Sequence, residues 1–276
     1  MQTFSREGLT FDVSDTGPTD GEVVVLLHGY PENRTSWDAV TPLLTAAGYR
    51  VLAPDQRGYS PRARPLRRRD YAMSELVADV LALVDAAGAQ RVHLVGHDWG
   101  GGVAWGFGHA HPDRLRTLTS LTTPHPRAMV ASMTRSGQAL HSWYMAFFQL
   151  PWLPEQSFKP RMEKTLRRTL TRSGLPHEAV DRYVKPLQQP GAARAAINWY
   201  RGMPFSRPPK GRIQVPTLYV YATADAFLGR TAAELTENYV EAPYRFEVLE
   251  GASHWIPEEK PDVLAQLFVE HAKAHA

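Results

Sequence analysis

The chain has 276 residues, of which 43% are hydrophobic and 21% are charged, as is ordinary for a folded globular enzyme with one large α/β domain. It contains no cysteine, which excludes disulfide frameworks, thiolate metal sites and cysteine nucleophiles. The net charge is +3, and part of the basic excess lies in an arginine-rich stretch at residues 62–69. Since no aromatic or recognition motif accompanies that stretch, we expect no nucleic-acid partner.

The sequence has no segment typical of a signal peptide or of a membrane-spanning helix. Residues 1–11 lack the apolar run of a signal peptide. No stretch approaches the roughly 18 uninterrupted apolar residues of a membrane span. We therefore expect a cytoplasmic protein without a membrane partner.

Predicted strands and helices alternate along the chain. Residues 4–14 alternate weakly around Gly8 and predict two short edge strands. A helix is predicted at residues 74–87, with Ser74 as its N-cap and Gly88 as its stop. Continuous apolar runs, typical of strands buried on both faces, occur at residues 23–27, 51–54, 92–95, 115–121, 217–222 and 246–249. This alternation predicts right-handed crossovers and a mostly parallel central sheet covered on both sides.

The alternation stops between residues 125 and 209, where the sequence is helical, rich in aromatic residues and interrupted by prolines. We expect this segment to be a helical lid (cap) inserted into a core made of residues 1–124 and 210–276. An insertion placed late in the sheet would lie over the carboxyl ends of the strands. Open α/β sheets bind their ligands at those ends.

The strand predicted at residues 92–95 runs into the segment GHDWG at 96–100. Small residues two positions before and after a central residue, between a strand and a helix, are typical of a nucleophile elbow. The central residue here is Asp98 instead of serine. A carboxylate that attacks a saturated carbon forms an ester that water can hydrolyse, whereas a serine would leave a stable ether. Asp98 therefore predicts epoxide opening or halide displacement, with a simple helix cap as the structural alternative.

Two further residues complete a candidate catalytic triad. Asp225 follows the strand predicted at residues 217–222, and His254 lies in a loop after the last predicted strand. The order of nucleophile, acid and histidine is that of α/β-hydrolases. We expect Asp225 to orient His254, and His254 to deprotonate a water that attacks the Asp98 ester. The alternatives are a surface histidine and an ordinary loop aspartate.

Hydrolysis of that ester places negative charge on an oxygen of the Asp98 carboxyl group, so hydrogen-bond donors are needed beside it. The segment HGYP at 28–31 follows the strand predicted at residues 23–27. The backbone N–H groups of Tyr30 and Trp99 are predicted to form a two-donor oxyanion hole.

Four segments in this order resemble the epoxide hydrolases of the α/β-hydrolase superfamily: HGYP at 28–31, DQRGYS at 55–60, GHDWGG at 96–101 and GASHWIPEE at 251–259. The resemblance covers nearly the whole chain. It implies an α/β-hydrolase fold, with a mostly parallel sheet and an inserted helical lid.

The resemblance also implies two lid tyrosines that bind the epoxide oxygen. The segment SWYMAFFQ at 142–149 matches the first at Tyr144, and NWYR at 198–201 matches the second at Tyr200. Phenols stay protonated at neutral pH and can donate to a departing alkoxide. The alternative is that both tyrosines only pack the lid.

The resemblance implies an epoxide hydrolase that converts a hydrophobic epoxide into a vicinal diol through an Asp98 ester, without a cofactor. A metal site is not expected, since His93 and His97 lie about 13 Å apart on an extended segment. The expected walls of the substrate pocket are Trp37, Trp143, Phe148, Phe227 and Trp255.

Two alternatives to epoxide hydrolysis stay open at this point. A haloalkane dehalogenase would use the same aspartate and histidine chemistry, although dehalogenases often have an asparagine at the position of Tyr30. A ligand receptor that kept the fold without catalysis is the second. The physiological substrate, the stereochemistry and the oligomeric state are not predicted.

Overall fold

The structure is a computed structural model that describes residues 1–134, 136 and 143–275, apart from the side chains of residues 160–162. Ser142, the first residue of the segment that carries Tyr144, lies outside the described residues. The described strands are β1 (Thr3–Arg6), β2 (Leu9–Thr16), β3 (Val23–Leu27), β4 (Arg50–Pro54), β5 (Val92–His97), β6 (Leu115–Leu121), β7 (Thr217–Ala222) and β8 (Tyr244–Leu249).

These strands form one sheet in the order β1-β2-β4-β3-β5-β6-β7-β8. The pairs β1–β2 and β2–β4 are antiparallel, and every later pair is parallel. The predictions of an edge pair and of a mostly parallel sheet are therefore confirmed. Both ends of each predicted apolar run lie within two residues of the ends of the observed strand.

The described helices are α1 (Thr41–Ala46), α2 (Met73–Ala86), α3 (Trp99–Ala110), α4 (Pro126–Met133), α5 (Trp143–Phe148), α6 (Pro160–Arg172), α7 (His177–Leu187), α8 (Ala192–Gly202), α9 (Arg230–Leu235), α10 (Ile256–Glu259) and α11 (Pro261–Ala274).

The two faces of the sheet carry separate hydrophobic cores. Val25 belongs to the cluster that includes Leu83 of α2 and Trp105 of α3. Its neighbour Val24 belongs to the opposite cluster, which includes Phe268 of α11. Successive side chains of a strand point to opposite faces, so a strand covered on both sides needs an unbroken apolar run. This explains why all five residues of β3 are buried.

Helix α2 begins one residue before the predicted start, and Ser74 is not its N-cap. The N-cap position is Ala72, which makes no side-chain capping bond. The Ser206 hydroxyl instead accepts a hydrogen bond from the Met73 N–H at 2.9 Å. The first turn of α2 is therefore capped from a distant part of the chain. The predicted stop at Gly88 agrees with the end of α2 at Ala86 and with a left-handed φ of 70° at that glycine.

Between β6 and β7 the described elements are helical, as predicted for residues 125–209, and we call this range the insertion. Helix α8 packs closely on the loops that follow β4. The Trp199 Nε1–H donates a 2.6 Å hydrogen bond to the carbonyl of Arg57. A Cβ atom at Gly202 would lie 2.2 Å from the Tyr71 carbonyl oxygen, so only glycine allows this approach.

We expect Trp199→Phe to lower the free energy of unfolding by about 1–3 kcal/mol, because it leaves the buried Arg57 carbonyl without its donor. The matched control is Trp152→Phe, since Trp152 is 68% exposed and should tolerate the change. Urea unfolding of both variants measures the difference. Equal stabilities would mean that the Trp199 bond does not anchor α8.

Candidate active site

The turn from β5 into α3 holds Asp98 in a strained conformation. Its backbone has φ 48° and ψ −119°, a region that costs a non-glycine residue about 1–3 kcal/mol. A Cβ atom at Gly96 would lie 2.1 Å from the Gly100 carbonyl oxygen, and one at Gly100 would lie 2.1 Å from the Leu27 carbonyl oxygen. The glycines of the motif therefore permit the sharp turn that presents the Asp98 side chain.

The Asp98 carboxyl group meets both predicted backbone donors. The Tyr30 N–H donates to Asp98 Oδ1 at 2.8 Å, and the Trp99 N–H also bonds this carboxyl group. Burial raises the pKa of Asp98, while His254, His97 and the two amides oppose that rise. A Cβ atom at Gly29 would lie 2.4 Å from Asp98 Cβ, which explains the glycine before Tyr30.

His254 lies between two carboxyl groups. Its Nδ1 is 2.7 Å from Asp225 Oδ2, and its Nε2 is 3.7 Å from Asp98 Oδ2. Asp225 is itself fixed, because its Oδ1 accepts the N–H groups of Phe227 at 2.7 Å and Leu228 at 3.0 Å. A neutral imidazole in this position carries its proton on Nδ1 and turns the Nε2 lone pair toward Asp98.

Tyr144 of α5 and Tyr200 of α8 lie together above the same carboxyl group. Their ring centroids are 5.9 Å apart, and both residues line, with Asp98, the two cavities described below. Burial raises the pKa of both phenols, and the Asp98 charge raises it further. Both hydroxyl groups therefore keep their protons at neutral pH. The Gln149 side chain donates to the Tyr200 carbonyl at 2.7 Å and ties the end of α5 to α8.

Two apolar cavities meet at Asp98, Tyr144 and Tyr200. The first, the histidine-side cavity, has a volume of about 390 Å³ and is bordered by His254. The second, the methionine-side cavity, has a volume of about 300 Å³. Five of the seven methionines of the chain line the second cavity: Met73, Met129, Met133, Met145 and Met203.

Four of the five predicted pocket residues line the histidine-side cavity, namely Trp143, Phe148, Phe227 and Trp255. The prediction for Trp37 is wrong, because this side chain is fully buried in the core between the sheet and helices α1 and α11. The sequence analysis missed the methionine-side cavity. The spacing of Met129 and Met133 by one turn of α4 is the one local signal that could have suggested a shared face.

A buried polar network behind the site was also missed. His97 Nδ1 is 2.9 Å from the Glu32 carboxylate, and His97 Nε2 is 2.9 Å from the His254 carbonyl oxygen. Since both ring nitrogens face acceptors, the geometry favours a doubly protonated ring. Burial alone would lower the pKa of His97, but the Glu32 carboxylate raises it to about 9. His97 is therefore a buried cation that holds the loop of His254.

Glu258 extends this network toward the insertion. The Tyr183 hydroxyl of α7 donates a hydrogen bond to the Glu258 carboxyl group of α10. Burial, together with the Glu32 charge, raises the pKa of Glu258 to about 8. Glu258 therefore carries a proton at neutral pH, which limits the negative charge around His97.

The raised pKa of Glu258 predicts a pH-dependent stability. Between pH 4.5 and 8 the unfolded chain loses the Glu258 proton while the folded protein keeps it, so this residue lowers stability progressively over that range. Glu258→Gln keeps an acceptor for Tyr183 and removes the ionisation. The variant should therefore gain stability relative to the unmodified protein from pH 4.5 to 8, by several kcal/mol at most, with no further gain above.

Urea unfolding at a series of pH values measures this difference. The control is Glu178→Gln, which changes an exposed glutamate of the insertion and should show no such trend. A stability difference for Glu258→Gln that stays constant with pH would mean that Glu258 is ionised throughout.

Among residues 1–134, 136 and 143–275, no group of three or more His, Cys, Asp or Glu side chains could hold a metal ion. Within the same part of the chain, no helix is long and apolar enough to cross a membrane.

The profile of the α/β hydrolase fold family matches residues 22–261. This chain belongs to the α/β-hydrolase family. The predicted fold is confirmed, since the structure of epoxide hydrolase A from Mycobacterium thermoresistibile superposes with a TM-score of 0.86 at 26% identity, covering 99% of this chain and 98% of that one.

Two sequence relatives span nearly all of this hydrolase. The AB hydrolase superfamily protein YfhM of Bacillus subtilis is 36% identical over 99% of this chain and 97% of its own length. Human epoxide hydrolase 4 is 34% identical over 94% of this chain and 75% of its own length. The predicted resemblance to epoxide hydrolases is confirmed by relatives of that name.

Proposed function

We propose that this hydrolase converts an apolar epoxide into a vicinal diol through a covalent ester on Asp98. One observation carries the proposal: a carboxylate held by two backbone donors faces two protonated phenols and an imidazole fixed by Asp225. Groups suited to three different roles, those of nucleophile, proton donor and base, thus converge on one point. The names of the relatives, including human epoxide hydrolase 4, support the same activity.

In the first step, Asp98 Oδ2 attacks one carbon of the epoxide, because Oδ1 is engaged by the Tyr30 N–H. The carbon–oxygen bond of the ring breaks, and its electron pair goes to the epoxide oxygen. Tyr144 and Tyr200 donate hydrogen bonds to that oxygen, and one of them supplies the proton that neutralises the alkoxide. The product is a hydroxyalkyl ester of Asp98.

In the second step, His254 Nε2 takes a proton from a water whose oxygen attacks the Asp98 carboxyl carbon. The negative charge develops on Oδ1, which already accepts the Tyr30 N–H, and the Trp99 N–H bonds the same carboxyl group. The bond from the carboxyl carbon to Oδ2 then breaks, and the leaving diol oxygen takes the proton from His254. The second proton of the water stays on the Asp98 carboxyl group and is then lost to solvent, while the tyrosinate takes a proton from solvent. Both groups are thereby regenerated, and one water is consumed for each epoxide.

We also propose that residues 125–209 act as a lid on a core formed by residues 1–124 and 210–276. Helices α5 and α8 of this range supply both phenols, whereas the core supplies Asp98, Asp225 and His254. Closure of the two parts around the substrate would exclude bulk water from the ester.

Removal of the base should trap the ester. We expect His254→Gln to gain the full mass of an epoxide on incubation, because alkylation proceeds while hydrolysis stalls. Intact mass spectrometry after exposure to panels of epoxides and haloalkanes measures the adduct. The control is the double variant with Asp98→Asn, which should gain no mass.

The alternatives give different masses in this experiment. An adduct equal to a haloalkane without its hydrogen halide, with none from epoxides, would identify a dehalogenase. The absence of any adduct across both panels would favour a ligand receptor.

The two phenols should act mainly in the first step. We expect the double variant Tyr144→Phe/Tyr200→Phe to slow alkylation by about 10²-fold or more, and each single variant to lose less, because one donor remains. Rapid-quench measurement of the ester in a single turnover isolates this step. Tyr239→Phe, outside both cavities, should leave the rate unchanged. Unchanged alkylation in the double variant would mean that the tyrosines only pack the insertion.

A further inference from the structure

The charge of the chain is unevenly divided between the insertion and the remainder. Residues 125–209 contain thirteen Lys and Arg but four Asp and Glu, a net charge of +9. The remainder contains eighteen Lys and Arg and twenty-four Asp and Glu, a net charge of −6. The overall value of +3 therefore conceals a strongly basic insertion on an acidic core. Such a distribution orients a protein in front of an anionic surface.

Helix α6 displays part of this charge on one exposed stripe. Lys164, Arg168 and Arg172 follow one another at intervals of four residues, which places them on one helix face, and all three are exposed. None of the ion pairs among the described residues involves these three cations. On the side of the helix away from this stripe, Leu166 and Leu170 line the histidine-side cavity.

Exposed apolar side chains flank the same helix. Trp143 is 67% exposed and also borders the histidine-side cavity with Leu166, so its indole lies at the rim of that cavity. Trp152 is 68% exposed and precedes a short 3-10 helix, Pro154–Phe158, that contacts α6. Leu150 and Leu153 are exposed beside it. Large apolar side chains in such a group mark an interaction surface more often than a solvated one.

We propose that these residues form a docking surface for an anionic lipid bilayer. The docking surface consists of Trp143, Leu150, Trp152, Leu153, Lys164, Arg168 and Arg172. Tryptophan and leucine side chains enter the interfacial region of a bilayer, while lysine and arginine bind anionic headgroups. The acidic core is repelled by the same headgroups and stays away from them. Docking of this kind requires no membrane-spanning helix.

The position of Trp143 connects docking with access to the site. An apolar epoxide concentrates in the bilayer, and the rim of the histidine-side cavity is part of the docking surface. The substrate would pass from lipid into the cavity beside Trp143 without crossing bulk water. This last step rests on the proposed epoxide hydrolysis, whereas docking itself does not.

Sedimentation with vesicles of phosphatidylcholine, with and without phosphatidylglycerol, tests the docking. The full chain should bind the vesicles that contain phosphatidylglycerol, bind pure phosphatidylcholine much less, and dissociate at high salt. The triple variant Lys164→Glu/Arg168→Glu/Arg172→Glu should lose affinity by about 10-fold or more. Trp152→Ser should also weaken binding, whereas Val263→Ser, at an exposed apolar position of the core, should not.

A matched charge control decides whether the location of the cations matters. Arg62→Glu/Arg67→Glu/Arg68→Glu makes the same change of net charge on an exposed loop of the core and should bind vesicles nearly as well as the unmodified protein. Equal losses in both triple variants, or no binding to either kind of vesicle, would overturn the proposal. Stronger competition by an RNA oligonucleotide than by the vesicles would assign the surface to nucleic acid instead.

Activity measurements separate docking from the proposed function. On a water-soluble epoxide, the Lys164→Glu/Arg168→Glu/Arg172→Glu variant should keep the rate of the unmodified protein, but it should turn over a vesicle-bound epoxide several-fold more slowly. Vesicle binding without turnover of any epoxide would contradict the proposed function and leave docking intact. Turnover of soluble epoxides without vesicle binding would contradict docking alone.

Discussion

The candidate site depends on a single buried cation, the His97 imidazolium. It joins three segments that are far apart in the chain: Glu32 follows β3, His97 is the last residue of β5, and the His254 carbonyl belongs to the loop after β8. A buried charge is tolerated only when its hydrogen-bonding groups are all engaged, and both nitrogens of this ring are. Any displacement of these segments would leave charge or donors unpaired, so the network fixes where His254 lies relative to Asp98.

The same cation helps to resolve an electrostatic conflict at Asp98. A carboxylate is a better nucleophile when it is poorly solvated, yet burial favours its neutral form. The Tyr30 and Trp99 N–H groups and the positive charge of His97 stabilise the ionised form of Asp98 without transferring a proton to it. In the proposed reaction, alkylation then removes the negative charge that lies 3.7 Å from His254 Nε2. His254 Nε2 then faces a neutral ester, which is the group that the water must attack.

How much could be predicted from the sequence depended on how local each constraint is. The elbow at Asp98 was predictable because its glycines are required by close contacts within a few residues of the turn. The position of His254 followed from the order of the three residues along the chain. The network of Glu32, Tyr183 and Glu258 was not, because its partners are separated by 65 residues or more and polar groups in a core have no periodic pattern. Trp37 was misassigned for a related reason, since an aromatic residue near a motif packs into the core as readily as into a pocket.

Two helices of the insertion connect the candidate site with the outer surface of the protein. Helix α6 lines the histidine-side cavity with Leu166 and Leu170 and presents Lys164 and Arg168 to the outside. A change in the position of this helix therefore alters the cavity and the exposed stripe together. Helix α7 adds a second connection, since its Tyr183 bonds Glu258, four residues after His254. Whatever contacts the outer face of the insertion is thus connected through α6 to the histidine-side cavity and through α7 to the segment of His254, so docking and catalysis would be coupled instead of acting as separate modules.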